Sequence, residues 1–126
     1  MNVKINTKEK FHVITLNDAV LPANMTEYLT RLFRNCIQNP VKNIILNMAY
    51  VRETNPEFGT FLVSEQEKAN EDKRSFIICN LQPEVVKMLE NDEFLKKLNI
   101  TPTESEAWDM VQFEELEREM MGGEEN

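Results

Sequence analysis

Apolar residues recur along this chain in two different rhythms. Val3 and Ile5 alternate with polar neighbours. After Lys8-Glu9-Lys10 the alternation resumes, with Phe11, Val13 and Thr15 facing opposite His12, Ile14 and Leu16. A period of two marks a β-strand, so the opening predicts two short strands joined by a hairpin connection at 8–10. Asn17 to Pro22 breaks the pattern and reads as a loop. From Met25 the spacing changes to threes and fours. Met25, Leu29, Leu32, Phe33, Cys36 and Ile37 share one helical face, and Asn39-Pro40 stops the helix. Asn24, with Glu27 three residues later, comes close to a capping box at its start.

The same two rhythms then alternate to the end of the chain. Ile44 to Met48 reads as a buried strand. Asn55-Pro56-Glu57 follows as a strong helix start: an N-cap side chain, a proline at the first helical position, and an acid at the positive end of the macrodipole. Phe58, Phe61 and Leu62 give this helix an apolar stripe, while 65–73 is nearly all polar and is expected to be solvated. Phe76 to Cys79 is a short strand, and Pro83 begins a helix with Val85, Val86 and Leu89 inward. Phe94, Leu95 and Leu98 form a short helix or turn, and Asn99 to Thr101 a brief edge strand. Thr103 and Glu106 make a capping box ahead of Ala107, Trp108 and Val111. Phe113, Leu116 and Met120 prolong that helix, Gly122-Gly123 ends it, and Glu124 to Asn126 is expected to be disordered. Strand and helix alternating in this way predict an α/β fold with parallel strands in the middle.

Composition narrows the possibilities. A chain of 126 residues makes one domain with a real core. Its net charge of −8 opposes non-specific nucleic-acid binding, and no basic stripe is visible. No apolar run is long enough to insert in a membrane, and the N-terminus has no apolar centre of the signal-peptide kind. Cys36 and Cys79 lie in apolar segments and read as buried thiols of a cytoplasmic protein. The single histidine, His12, falls on a strand face. Only three glycines are present, in no phosphate-cradling pattern. Asp92-Glu93 and Glu114-Glu115 are adjacent carboxylates, which a helix points apart. These features imply no enzyme, no metal and no cofactor.

Several motifs in order carry a family resemblance. The strand Ile44-Ile45-Leu46-Asn47-Met48 is followed by Val51 and then by Asn55-Pro56. Downstream come Phe76-Ile77-Ile78-Cys79-Asn80, the helix start Leu81-Gln82-Pro83-Glu84-Val85-Val86, Phe94-Leu95, and the closing run from Ile100 to Ala107. Over roughly Val3 to Val111 this resembles the STAS domain of the anti-sigma factor antagonists. The resemblance implies a four- to five-stranded, mostly parallel sheet with helices packed mainly on one face. It assigns residues 1–112 to the domain and leaves 113–126 as an acidic C-terminal helical extension and tail. It also implies that the family's phosphoacceptor serine is replaced here by Pro56, its neighbouring Asp by Asn55, a second common Ser by Glu57 and a frequent Gly by Phe58. Phe94 stands where a Gly usually precedes Leu.

The resemblance implies a signalling role as a non-enzymatic interaction module that lacks the usual serine switch. Its partner would be a regulatory protein such as an anti-sigma factor or an ATPase-fold kinase. The implied surface is Thr54, Asn55, Pro56, Glu57 and Phe58 together with the loop carrying Asn17, Asp18 and Asn24, with Phe58 as anchor if exposed and otherwise a core contact. Thr54 is an alternative acceptor, or only a turn residue. Two further readings stay open: an accessory subunit of a lipid-transport or stress-signalling assembly, and an anion sensor at the Asn55 helix start beside Arg52. A homodimer is open as well, as is packing of Phe113, Leu116 and Met120 on a second molecule or back on the domain.

Overall fold

A computed structural model describes residues 2–124. Five strands form one sheet in sequential order: β1 (Val3–Thr7), β2 (Phe11–Leu16), β3 (Asn43–Asn47), β4 (Phe76–Cys79) and β5 (Ile100–Thr101). The β1–β2 hairpin is antiparallel, with Thr7 opposite His12 and Lys8 N–H donating to the Phe11 carbonyl at 2.8 Å across the expected connection. The remaining pairs are parallel.

Each parallel connection carries a helix: α1 (Met25–Cys36), α2 (Pro56–Glu71), and α3 (Pro83–Asn91) followed by a 3-10 turn at Leu95–Lys97. The strands advance in one direction across the sheet. Right-handed crossovers therefore set all three helices on the same face. The last helix, α4 (Glu104–Glu124), joins no strand that follows it and lies on the opposite face. The strands sort their side chains accordingly. Ile14, Leu16, Ile44, Leu46, Phe76 and Ile78 meet Leu29, Phe33, Phe58, Leu62, Val85 and Leu89 in the larger core. Phe11, Val13, Ile45, Ile77 and Cys79 meet Ala107 and Val111 in the smaller one. The period-two reading of β2 holds residue for residue.

Several local expectations change. The Asn24 side chain makes no capping bond, because its backbone (φ −95°, ψ 12°) departs from the extended N-cap shape and the Glu27 box does not close. Helix α1 ends at Cys36, three residues before Asn39-Pro40. The second half of α2 is not solvated throughout: Glu65, Gln66 and Ala69 are buried. Gln66 accepts the Asn99 N–H at 3.1 Å and donates to Asn70 Oδ1 at 3.2 Å, so a polar residue is buried by being bonded rather than by being apolar. Val86 is only partly buried, and Met88 packs on the core in its place.

Thr103 caps α4 through its hydroxyl, but the Glu106 carboxylate bonds that hydroxyl and not the Thr103 N–H, so half of the expected box forms. The hydroxyl accepts the Glu106 N–H at 3.2 Å and lies 3.1 Å from the Glu106 carboxylate. Helix α4 continues through Gly122 and Gly123 to Glu124, since glycine permits a left-handed stop without imposing one. Glu125 and Asn126, within the expected disordered tail, lie outside the described residues.

Candidate functional site

At the carboxyl ends of the parallel strands, β3 leads into a tight turn and then into α2. Asn47 shapes the turn: its Oδ1 accepts the Ala49 N–H at 2.9 Å, and its Nδ2 donates to Glu104 Oε1 at 3.0 Å. Val51 is fully buried and anchors the loop, while Tyr50 beside it stands out into solvent. Asn55 is extended (φ −139°, ψ 168°), and its side-chain oxygen accepts the Phe58 N–H at 2.9 Å. Pro56 takes the first helical position and Glu57 the first turn, both exposed, so the helix start formed as the sequence implied.

The loop between β2 and α1 is joined to this turn by backbone hydrogen bonds. The Ala19 carbonyl accepts from Arg52 N–H at 2.8 Å and from Glu53 N–H at 3.0 Å, and Leu21 N–H donates to the Glu53 carbonyl at 3.2 Å. Val20 and Glu53 are paired as a short parallel bridge. The two segments therefore form one surface, with exposed Val20, Tyr50, Arg52, Glu53, Pro56 and Glu57 upon it. Val20 and Tyr50 are each 60% exposed. Sequence reasoning passed over both, since a lone apolar residue in a loop belongs to no periodic pattern. Its only signal is that nothing local can bury it.

The other candidate residues are placed less favourably for contact. Phe58 is 2% exposed and packs against Phe61 with ring centroids 5.5 Å apart, so it is a core residue and not a surface anchor. It occupies the first inward position of α2, which the helical period turns to the sheet. The Thr54 hydroxyl oxygen is buried without a hydrogen-bond partner, which leaves it poorly placed to accept a group from another protein. The Asp18 carboxylate is engaged by Asn2, through its backbone N–H at 3.1 Å and its amide at 3.4 Å. Asn17 is exposed at the loop's start, and exposed Asn24 lies at the head of α1. Anion capture at the start of α2 finds little support. Pro56 has no N–H to offer, and the Phe58 N–H is already given to Asn55.

The titratable groups offer no catalytic arrangement among the described residues. His12 is buried, with Nδ1 2.9 Å from Thr7 Oγ1 and Nε2 2.8 Å from the Val41 carbonyl, at the strand end away from this surface. Both cysteines are buried and unbridged. Burial raises the Cys36 thiol pKa. Burial, reinforced by the Glu104 carboxylate, pushes Cys79 up to about 12, which keeps it a thiol and a poor nucleophile. No group of His, Cys, Asp and Glu among the described residues has the geometry to hold a metal ion, and no helix among them is long and apolar enough to cross a membrane.

Comparison with known proteins agrees with this geometry. The sequence matches the STAS domain family over residues 2–107. No curated protein sequence gave a match. Among solved structures, a putative anti-sigma factor antagonist from Thermotoga maritima superposes with a TM-score of 0.77 at 14% identity, covering 87% of this chain and 94% of that one. An anti-sigma factor antagonist (STAS) domain protein from Planctomyces limnophilus gives 0.72 at 16%, covering 87% and 97%. The Bacillus cell fate determinant SpoIIAA in its phosphorylated form gives 0.66 at 19%, covering 87% and 99%. At such identities the superpositions speak for the fold, while the family match extends over most of the sequence. The chain belongs to the STAS domain family, as a non-enzymatic protein-interaction module in which Pro56 stands at the position of the family's phosphoacceptor serine.

Proposed function

We propose that the surface formed by Thr54 to Glu57 and the loop from Asn17 to Asn24 docks a regulatory protein of the anti-sigma factor or ATPase-fold kinase type, without a phosphoryl switch at position 56. The observation that carries this reading is the backbone stitching of Ala19 and Leu21 to Arg52 and Glu53, which makes one pre-ordered face of two loops. Backbone already ordered in this way lowers the cost of fixing the two loops on binding. On this face Val20 and Tyr50 supply the apolar contact that buried Phe58 does not, because an exposed aromatic is the side chain best able to act as an interface anchor. Pro56 has no hydroxyl, and its ring keeps the helix start rigid. Residues 1–112 act as the docking domain and 113–126 as an appended element.

The test pairs the purified chain with the anti-sigma factor or kinase encoded by the same genome. Tyr50→Ala and Val20→Ser are expected to weaken binding about tenfold each, the cost of truncating a modest interface anchor. Incubation with the kinase and ATP is expected to leave the intact mass unchanged, whereas Pro56→Ser is expected to gain one phosphate. Undiminished binding by both truncation variants would overturn the proposed surface. A phosphate mapped to Thr54 in the unaltered chain would overturn the absence of switching.

A further inference from the structure

Helix α4 carries an apolar seam that the domain leaves uncovered. Phe113, Leu116 and Met120 are 62%, 54% and 62% exposed, and their spacing of three then four stacks them along one side of the helix. They do not pack back on the domain. The opposite side of α4 does so, first through buried Ala107 and Val111. Polar contacts then hold the helix at the beginnings of β3 and β4. Ser75 Oγ donates to Glu114 Oε1 at 2.6 Å, Asn43 Nδ2 donates to Glu115 Oε1 at 2.6 Å, and Arg118 Nη2 donates to Ser75 Oγ at 3.1 Å. Rolling the helix to bury the seam would break all of these.

We propose that this seam is a docking surface for a basic amphipathic helix of a partner protein, with an apolar ridge at matching spacing flanked by Lys or Arg. Charge selects that occupant. Asp109 continues the seam toward the helix start, and Glu117 and Glu119 flank it, all three exposed. Arg118 is the only basic residue in α4, and its guanidinium is turned inward to Ser75, Asn43 and Glu115. Lys10 borders the cleft along Phe113, Leu116 and Glu119 and is the single cation there among the described residues. A second copy of this chain would set Glu117 and Glu119 against their own counterparts, a like-charge arrangement that disfavours pairing. An anionic membrane surface would be repelled by the same carboxylates. An outer helical face with a three–four apolar repeat is instead suited to pairing with another helix. The seam lies where the parallel strands begin, at the opposite end of the sheet from Asn55, so both surfaces can be occupied together.

The experiment titrates the full chain into fluorescein-labelled synthetic helices and reads anisotropy. One peptide places Leu at three–four spacing between Lys residues, a second scrambles the same composition, and a third replaces Lys by Glu. The first is expected to bind, weakening as salt rises. Phe113→Ser with Leu116→Ser and Met120→Ser is expected to reduce its affinity about tenfold or more. Glu117→Lys with Glu119→Lys is expected to transfer the preference to the Glu peptide. All five side chains are exposed, so circular dichroism and melting temperature should be unchanged. Should the triple variant misfold, Leu116→Asp alone carries the same expectation. Equal binding of the scrambled peptide, or unaltered binding by the serine variant, would overturn the proposal. So would a concentration-dependent dimer abolished by the serine variant, which assigns the seam to a second copy. Seam-dependent binding to phosphatidylserine vesicles would likewise assign it to lipid.

Discussion

The ring of Phe94 lies directly over Gly59, in the space that a β-carbon at residue 59 would occupy. Phe94 falls where the family resemblance implies a glycine, so bulk at one position is matched by its absence on the facing helix. Alanine at 59 gains about 1 kcal/mol of intrinsic helix propensity but forces the ring aside, and overpacking costs about 1–3 kcal/mol. Gly59→Ala is therefore expected to lower stability, by up to about 2 kcal/mol after that gain. In a denaturant double-mutant cycle, Phe94→Leu should relieve much of that loss. Strictly additive effects would mean that the two residues do not oppose each other.

Asn55 holds the start of α2 through its bond to the Phe58 N–H. Removing it by Asn55→Ala is expected to cost about 1 kcal/mol, whereas Asn55→Asp should preserve stability because either side chain accepts that N–H. Urea midpoints of the two variants distinguish capping from a general tolerance of the loop. A loss for Asp as large as that for Ala would remove capping as the explanation.

Gln66 contributes through its amide rather than its size. Gln66→Leu leaves the Asn99 N–H without its acceptor, at a cost of about 1–3 kcal/mol. The loss should be concentrated near β5, where hydrogen exchange of the Asn99 amide is expected to accelerate more than that of amides in β3. Uniform acceleration would point to a packing effect instead.

Both thiols should resist modification while the protein is folded. Cys79, raised to about 12, and Cys36, also raised, are expected to react with an aromatic disulfide reagent only as fast as the chain unfolds. The raised Cys79 value also has a consequence at alkaline pH. Between the unfolded value of about 8.5 and the folded one, the unfolded chain gives up a proton that the folded chain keeps. Its contribution is complete below that range and is lost as pH climbs through it. Cys79→Ser should flatten the alkaline decline in melting temperature.

The opposite sign applies to Glu115. The Asn43 amide, with the Arg118 guanidinium, holds its carboxyl below the ordinary carboxylate range against the effect of burial. A depressed folded value stabilises above the unfolded value of about 4.3 and loses that contribution as pH falls through the folded one. Glu115→Gln should therefore destabilise at neutral pH and differ little from the parent at the acid end. Parallel pH profiles for the two proteins would exclude this linkage.

Local pattern was enough for the elements themselves. Strand β2 showed its two faces in alternation, α2 its start in Asn-Pro-Glu, and α4 its start in the Thr103 cap, because each depends on neighbours within four residues. Contacts across the chain were hidden from that kind of reading. Phe58 could serve as an anchor or as a core contact until the sheet covered it, and 65–73 resembled a solvated face until Asn99 supplied a partner for Gln66. Val20 and Tyr50 came to share one surface only when the backbone of Ala19 met that of Arg52 and Glu53. The sequence alone thus determined which segments would be helix or strand, though not where α1 and α4 end, and that Pro56 carries no hydroxyl, since backbone preference and side-chain chemistry are properties of short segments. Tertiary structure decided which side chains remain in water, because burial depends on what arrives from distant parts of the chain.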